Sequence, residues 1–343
     1  MIRFDCDYTE GAHERILNAL VATNSEQHCG YGLDDHCENA RALIKKACGR
    51  EDADVHFLVG GTQANFTVIA SVLRPYQGVL SADSGHINGH ETGAVEATGH
   101  KVLALPSVNG KISAAQIEKA YNEHWADGAH EHIVQPGMVY ISQSTEWGTV
   151  YSKQELEELY SVCKKLSLPL FIDGARLGYA LASGAAPSLE EMAQLCDVFY
   201  IGGTKVGLLF GEAVVITNEA LKKDFRYMIK QRGGMLAKGR LLGVQFEEMF
   251  RDGLYLEIAK HAVDIAMEIK TALQEKGIEF YIDSPTNQQF PILTKSQSVK
   301  LGEKFALCYT APVDDDHDVW RICTSFMTTR ENADCLISEI AQI

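Results

Sequence analysis

Short apolar runs and segments with helical spacing alternate along the first two thirds of the chain. The runs at 55–59, 78–82, 101–105, 138–142, 168–172, 197–201 and 212–216 predict buried strands. Between them, 34–48, 63–73, 113–123, 153–166 and 189–195 space their apolar residues as helices do. Seven strands joined by helices predict an α/β fold on one large, mostly parallel sheet. The pattern then changes. Residues 240–276 read as one long helical stretch, followed by shorter strands near 278–282, 290–294, 305–309 and 319–324 and a last helix from about 330. Two domains are expected: 1–250, an N-terminal segment and the large domain, and 251–343, a smaller C-terminal α+β domain. The first 20 residues form no unit of their own, and no repeat or low-complexity stretch is present.

Composition narrows the function classes. A chain of 343 residues can bury a substantial core. Thirty-one Lys and Arg against 46 Asp and Glu leave a net charge of −15. That is the wrong sign for a nucleic-acid binder, whose affinity rests on a basic surface. No run approaches the roughly 18 apolar residues of a membrane helix. Arg3 and Asp5 interrupt the N-terminus, where a secretion signal would be apolar. The nine cysteines form no CxxC pair and no regular framework, so a reduced, cytoplasmic chain is expected.

Candidate chemistry sits at the strand ends. The run Leu170-Phe171-Ile172 ends in Asp173-Gly174-Ala175-Arg176, and Tyr200-Ile201-Gly202-Gly203 leads to Thr204-Lys205. A carboxylate at the end of a buried strand is costly unless paired. A lysine in such a place is desolvated, which favours its free amine. Together the two supply what pyridoxal phosphate requires: an amine that bonds its aldehyde carbon, and an anion that keeps the ring nitrogen protonated. The bland alternatives are an Asp173–Arg176 salt bridge and a surface lysine in a turn. Arg176 is also placed to reach a substrate carboxylate.

Gly60-Gly61-Thr62-Gln63-Ala64-Asn65 joins a strand to a helix. Glycines let the backbone approach an anion, and the helix N-terminus offers free N–H groups. The segment is neither of the common nucleotide-binding motifs, so a nicotinamide dehydrogenase is disfavoured. Asp83-Ser84-Gly85-His86 follows another strand, on the edge where α/β proteins bind ligands. The His86 ring is suited to stack on a cofactor and to move a proton. His86 and His90, four apart and followed by Glu91, raise the question of a metal, but the segment lacks the HExxH order and an evident third ligand. His28, Cys29, His36 and Cys37 fit no standard finger and read as incidental. His132 lies close enough to the strand at 138–142 to be a pocket candidate, and Arg321 is either solvent-facing or a carboxylate clamp.

In this order, the motifs resemble those of the L-threonine aldolase and aromatic amino acid β-eliminating lyase family. These are pyridoxal-phosphate enzymes of the aspartate-aminotransferase fold type. The resemblance runs from Phe4-Asp5-Cys6-Asp7 to the strand carrying Arg321. It implies that Lys205 holds the cofactor, Asp173 faces its ring nitrogen and His86 stacks on its ring. It assigns Gly61, Thr62 and Thr204 to the phosphate, and Arg176 and Arg321 to the substrate carboxylate. His132 falls near a histidine that such aldolases use beside the substrate hydroxyl, and His86 is the other candidate base. Tyr31 looks like part of a segment that reaches the neighbouring subunit of a homodimer or homotetramer. No metal is implied.

The implied reaction is cleavage of a β-hydroxy-L-amino acid, L-threonine or L-allo-threonine, to glycine and an aldehyde. A β-eliminating lyase, or an aldolase for a bulkier substrate such as phenylserine, remains open. A non-catalytic module that kept the fold would have lost cofactor ligands, yet Lys205, Asp173 and His86 are all present.

The chain also departs from the family pattern. Thr204 stands for a usual serine and Cys6 for another. Arg232 or Lys238 must replace a usual arginine that serves the partner's phosphate. Gln143-Ser144-Thr145-Glu146-Trp147 replaces a Glu-Asn-Thr-His run, which makes Glu146 and Trp147 candidates for altering the side-chain pocket.

Overall fold

The seven apolar runs all form strands of one sheet. In the computed structural model, which describes residues 1–343, the chain opens with β1 (Ile2–Arg3). It continues through β2 (Asp54–Leu58), β3 (Gln77–Ala82), β4 (Lys101–Leu105), β5 (Gln135–Ser142), β6 (Leu170–Asp173), β7 (Val198–Gly202) and β8 (Glu212–Ile216). The sheet order is β2-β8-β7-β6-β5-β3-β4. Only β8 runs against its neighbours; the other six strands share one direction. Alternate residues enter opposite layers of helices. Leu170 and Ile172 join the larger core, and Phe171, Val198 and Tyr200 the smaller one on the other face. Burial on both faces explains why these strands read as unbroken apolar runs.

Parallel strands carry their connections out of one edge. Ser142 is level with Asp173 at the ends of β5 and β6. Gly202 ends β7, and Ala82 ends β3, four residues before His86. The sequence motifs therefore gather along the carboxyl edge of the sheet, where α/β folds bind ligands.

The C-terminal part adds β9 (Phe280–Ile282), β10 (Gln288–Thr294), β11 (Phe305–Ala306), β12 (Cys308–Pro312) and β13 (His317–Cys323). Four of them form a second, antiparallel sheet in the order β12-β13-β10-β9. The expected helical stretch at 240–276 is two helices, Arg240–Arg251 and Leu254–Glu275, separated at Gly253, whose φ of 78° is left-handed.

The chain crosses the expected division at residue 250 in two ways. Helix Leu254–Glu275 buries Leu254, Tyr255 and Ile258 in the larger core of the big sheet and Ile265, Ile269 and Leu273 in a third core, the small one of the C-terminal part. At the other end, β1 pairs in parallel with β11, and Phe4 is buried in the small core. The N-terminal segment then returns to the large part, where His13 N–H donates to Gly207 O at 2.9 Å. In between, residues 5–8 pass over the carboxyl edge of the large sheet. No helix is long and apolar enough to cross a membrane.

Candidate active site

Asp173 ends β6 with its carboxylate inside the protein. Its Oδ1 accepts from the Tyr200 hydroxyl at 2.5 Å and from Ala175 N–H at 2.9 Å. Its Oδ2 accepts from the Tyr140 hydroxyl at 2.6 Å and from Asn65 Nδ2 at 2.9 Å. Burial alone would raise this carboxyl, but the His86 charge and the two phenol donors outweigh it and leave its pKa lowered. Asp173 is thus a buried, immobile anion, and it is not paired with Arg176. Gly174 is required beside it, because a Cβ there would strike the Tyr200 carbonyl oxygen.

Asn65 joins this anion to a second one. Its Nδ2 also donates to Glu91 Oε1 at 2.7 Å, and the same oxygen meets His86 Nδ1 at 2.8 Å. A carboxylate on Nδ1 fixes the imidazole tautomer and leaves Nε2 as the free nitrogen. Burial would lower the His86 pKa, but Glu91 and the Asp173 charge hold it above the ordinary value. Its backbone is anchored as well, since His86 N–H donates to Glu146 Oε1 at 2.9 Å. Glu146 Oε1 also accepts from Ser142 Oγ at 2.7 Å, and burial raises this carboxyl. Glu146 therefore lies within the site. The neighbouring Trp147 ring packs 5.3 Å from both Tyr281 and Phe290 of the small domain.

Lys205 follows β7 through a turn whose Gly203 leaves no room for a side chain beside Leu208. Burial and the Arg176 charge lower the lysine's pKa. The shift favours the nucleophilic free amine. Tyr8 overhangs it, with Nζ 5.9 Å from the ring centre. Thr204, expected at the phosphate, has its hydroxyl engaged within the protein. Its hydroxyl donates to Glu212 Oε1 at 2.8 Å and accepts from Gly211 N–H at 3.0 Å. Its one proton is thereby taken by Glu212, a carboxyl that burial pushes up to about 8.

The glycine turn is open to an anion. Gly60 caps helix Gly61–Val72 without any side-chain bond, and the first intrahelical donor is Ala64 N–H to Gly60 O. The N–H groups before it are free, and Thr62 is half-buried beside them. A Cβ on Gly61 would come to 3.0 Å from the Tyr200 hydroxyl, so this turn sits directly over the Asp173 network. Gln63 ties the turn to the 232–235 stretch by donating to the Arg232 carbonyl at 3.2 Å.

Arg176 is held by Asp7 through two bonds, Nε to Oδ2 at 2.7 Å and Nη2 to Oδ1 at 3.0 Å. That leaves both N–H groups of Nη1 and one of Nη2 for another anion. Arg321 is not solvent-facing. Its Nη2 donates to Asp5 O at 2.8 Å, its Nη1 to Gln288 Oε1 at 3.3 Å, and its buried Nε has no partner. Both arginines thus meet on residues 5–7.

His132 is the predicted residue that the chain does not bring to this place. It is exposed, in a short turn before β5. That strand runs from Gln135 to Ser142. Eight residues at about 3.3 Å each put its start roughly 25 Å from the edge that carries the site. Nearness in sequence to a strand did not mean nearness to its functional end. Conversely, Asp7, Glu91, Tyr140, Tyr200 and Glu212 went unassigned, since each reaches the site only through tertiary packing.

As a set, these residues fit pyridoxal phosphate. The buried anion Asp173 suits a cationic ring nitrogen, the desolvated Lys205 suits a covalent link, and the uncapped helix with Thr62 suits a phosphate. The comparisons agree. A low-specificity L-threonine aldolase from a Pseudomonas species is 31% identical over 312 residues, 90% of this chain and 89% of that one. The Pseudomonas aeruginosa counterpart is 31% identical over 263 residues, 76% of this chain and 75% of that one. The structure of Leishmania major threonine aldolase is 43% identical with a TM-score of 0.97, covering 100% of this chain and 99% of that one. The model of the beta-eliminating lyase family matches residues 6–293. On that match, and on the identity to these relatives, the chain belongs to the beta-eliminating lyase family.

Proposed function

We propose that this chain is a pyridoxal-phosphate-dependent aldolase that cleaves a β-hydroxy-L-amino acid of the threonine or allo-threonine type to glycine and an aldehyde. The observation that carries the reading is the carboxyl edge of the sheet. It holds a lysine whose pKa is lowered, a buried anion, an imidazole with one nitrogen tied and the other free, and two arginines. Relatives similar over 90% and 100% of the chain carry the name threonine aldolase.

When bound, pyridoxal phosphate supplies an electron sink for the pair released as the Cα–Cβ bond breaks. The chain's own residues supply the rest. Lys205 holds the cofactor through Nζ, and Asp173 presents its anion to the ring nitrogen. Gly61 and Thr62 receive the phosphate. Arg176, through Nη1, and Arg321 take the substrate carboxylate, which fixes how the bond to be broken is aimed. His86 uses Nε2 to accept the β-hydroxyl proton, directly or through one water.

We assign the working state to a homodimer that can pair into a tetramer. Tyr31 and Leu33 support this. Both are large and exposed, and Tyr31 lies under Lys230 with Nζ 4.9 Å from its ring centre. A reducing compartment, the cytoplasm, suits nine cysteines that are all free.

The test is product formation by cofactor-loaded protein. L-threonine should yield glycine and acetaldehyde, and Lys205→Ala should abolish both the yield and the absorption band of the lysine-bound cofactor. A Lys205→Ala variant that keeps the band and turns over normally overturns the assignment.

A further inference from the structure

Away from this edge, two histidines and a glutamate converge. Glu26 and His28 lie in the coil after the first helix, and His36 lies in the first turn of helix Asp35–Ala47. The Nε2 atoms of His28 and His36 both approach Glu26 Oε2, at 2.7 and 2.9 Å. The three ligand atoms lie within 4.8 Å of one another. Two imidazole nitrogens and a carboxylate oxygen are a common donor set for a divalent transition-metal ion. The spacing 26, 28, 36 matches no finger pattern, which is why the sequence did not disclose the cluster.

A second observation concerns the other nitrogen of His36. Its Nδ1 meets Glu247 Oε2 at 2.6 Å. Glu247 is itself buried and fixed by Asn39 at 3.2 Å and Arg251 at 3.1 Å. A metal-binding histidine characteristically donates its second N–H to a held carboxylate, which sets the ring's orientation and raises its basicity. Without an ion, His36 must carry two protons to bond both Glu26 and Glu247. An ion takes the place of the protons between Glu26 and the two Nε2 atoms, and leaves the Nδ1 bond intact.

The surroundings suit such an ion. Side-chain exposures of 43%, 16% and 19% for Glu26, His28 and His36 leave a path for water to complete the coordination. The segment is pinned at both ends. Arg240 donates to the carbonyls of Thr23 and Asn24 at 3.0 and 3.2 Å, and Tyr31 N–H donates to Ala237 O at 3.2 Å.

We propose that Glu26, His28 and His36 bind one divalent transition-metal ion of the zinc class, with Glu247 as the supporting carboxylate. The ion staples the segment that carries Tyr31 to helix Asp35–Ala47. Tetrahedral bonds near 2.0 Å set ligands about 3.3 Å apart, close to the 2.7 and 2.9 Å at which Glu26 Oε2 meets the two Nε2 atoms.

The experiment is equilibrium dialysis of cofactor-loaded protein, freed of excess cofactor, against zinc(II), with metal analysis and a thermal melt. The wild type should take up one ion per chain and melt higher with zinc. His28→Gln and Glu26→Gln should lose the uptake by about 100-fold in affinity, and Glu247→Gln should weaken it about 10- to 100-fold. Cys29→Ser, which removes the exposed thiol next to His28, should bind as the wild type does. An unchanged cofactor band in each variant shows that the fold is intact. Uptake that survives in His28→Gln, uptake that disappears in Cys29→Ser, or no uptake by the wild type up to millimolar zinc would overturn the site.

Discussion

Glu91 holds His86 by its Nδ1 at 2.8 Å, from a side chain with no exposure at all. The bond decides which imidazole nitrogen faces the substrate side. It also counters the effect of burial on the imidazole, whose pKa ends above the ordinary value. Glu91→Gln should therefore lower the His86 pKa. The acid limb of the kcat/KM profile should move to lower pH, and the rate near neutrality should fall by about tenfold or more as the ring loses its orientation. An unmoved acid limb would mean that His86 is not the titrating base.

Asp7 and Arg176 form the buried ion pair beneath the substrate site. Burial would raise the Asp7 carboxyl, but the Arg176 and Lys205 charges bring it down to about 2. A carboxyl depressed on folding contributes stability above its unfolded pKa, near 3.9, and loses it as the pH falls. Between roughly pH 4 and pH 2 the protein should lose about 2 kcal/mol from this group. Asp7→Asn should remove that pH dependence and cost about 3–5 kcal/mol at neutral pH, because Arg176 is left buried and unpaired. Urea unfolding followed against pH reads both effects. Equal stability of variant and wild type at pH 7 would contradict the pairing.

Thr62 and Thr204 separate by their hydroxyls. Thr62 stands at the open helix N-terminus, whereas Thr204 Oγ1 is bonded to Glu212 and Gly211. Thr62→Val should weaken cofactor affinity by about tenfold, the worth of one hydrogen bond to a charged group, with little change in the apo protein's stability. Thr204→Val should instead cost about 1–3 kcal/mol of stability by stripping a buried carboxyl of its donor. Cofactor titration and thermal unfolding of the two variants test this, and the reverse pattern would place Thr204 at the phosphate.

The sequence disclosed groups that depend on local context. Asp173 and Lys205 stood out because polar residues at the ends of buried runs, flanked by glycines, have few other uses. The sheet was legible because strands buried on both faces must be apolar throughout. Glu91, Tyr140, Tyr200 and Asp7 could not be assigned. Each is an ordinary polar residue until a strand register or a long return of the chain sets it beside Asp173, His86 or Arg176. His132 was misplaced because strand direction decides which end of β5 meets the site. Trp147 is a candidate for altering the side-chain pocket by its place in the chain alone, and the small-domain rings of Tyr281 and Phe290 that it packs against are set by tertiary structure.

The most direct test of the central claim is a quantitative product analysis of cofactor-loaded protein on L-threonine, L-allo-threonine and L-phenylserine, with L-serine and L-tyrosine as elimination probes. The account predicts glycine and the matching aldehyde in equal amounts from the β-hydroxy substrates, and little keto acid or ammonia from any of them. Ammonia and a keto acid in place of glycine and aldehyde would contradict it and make the protein an eliminating lyase.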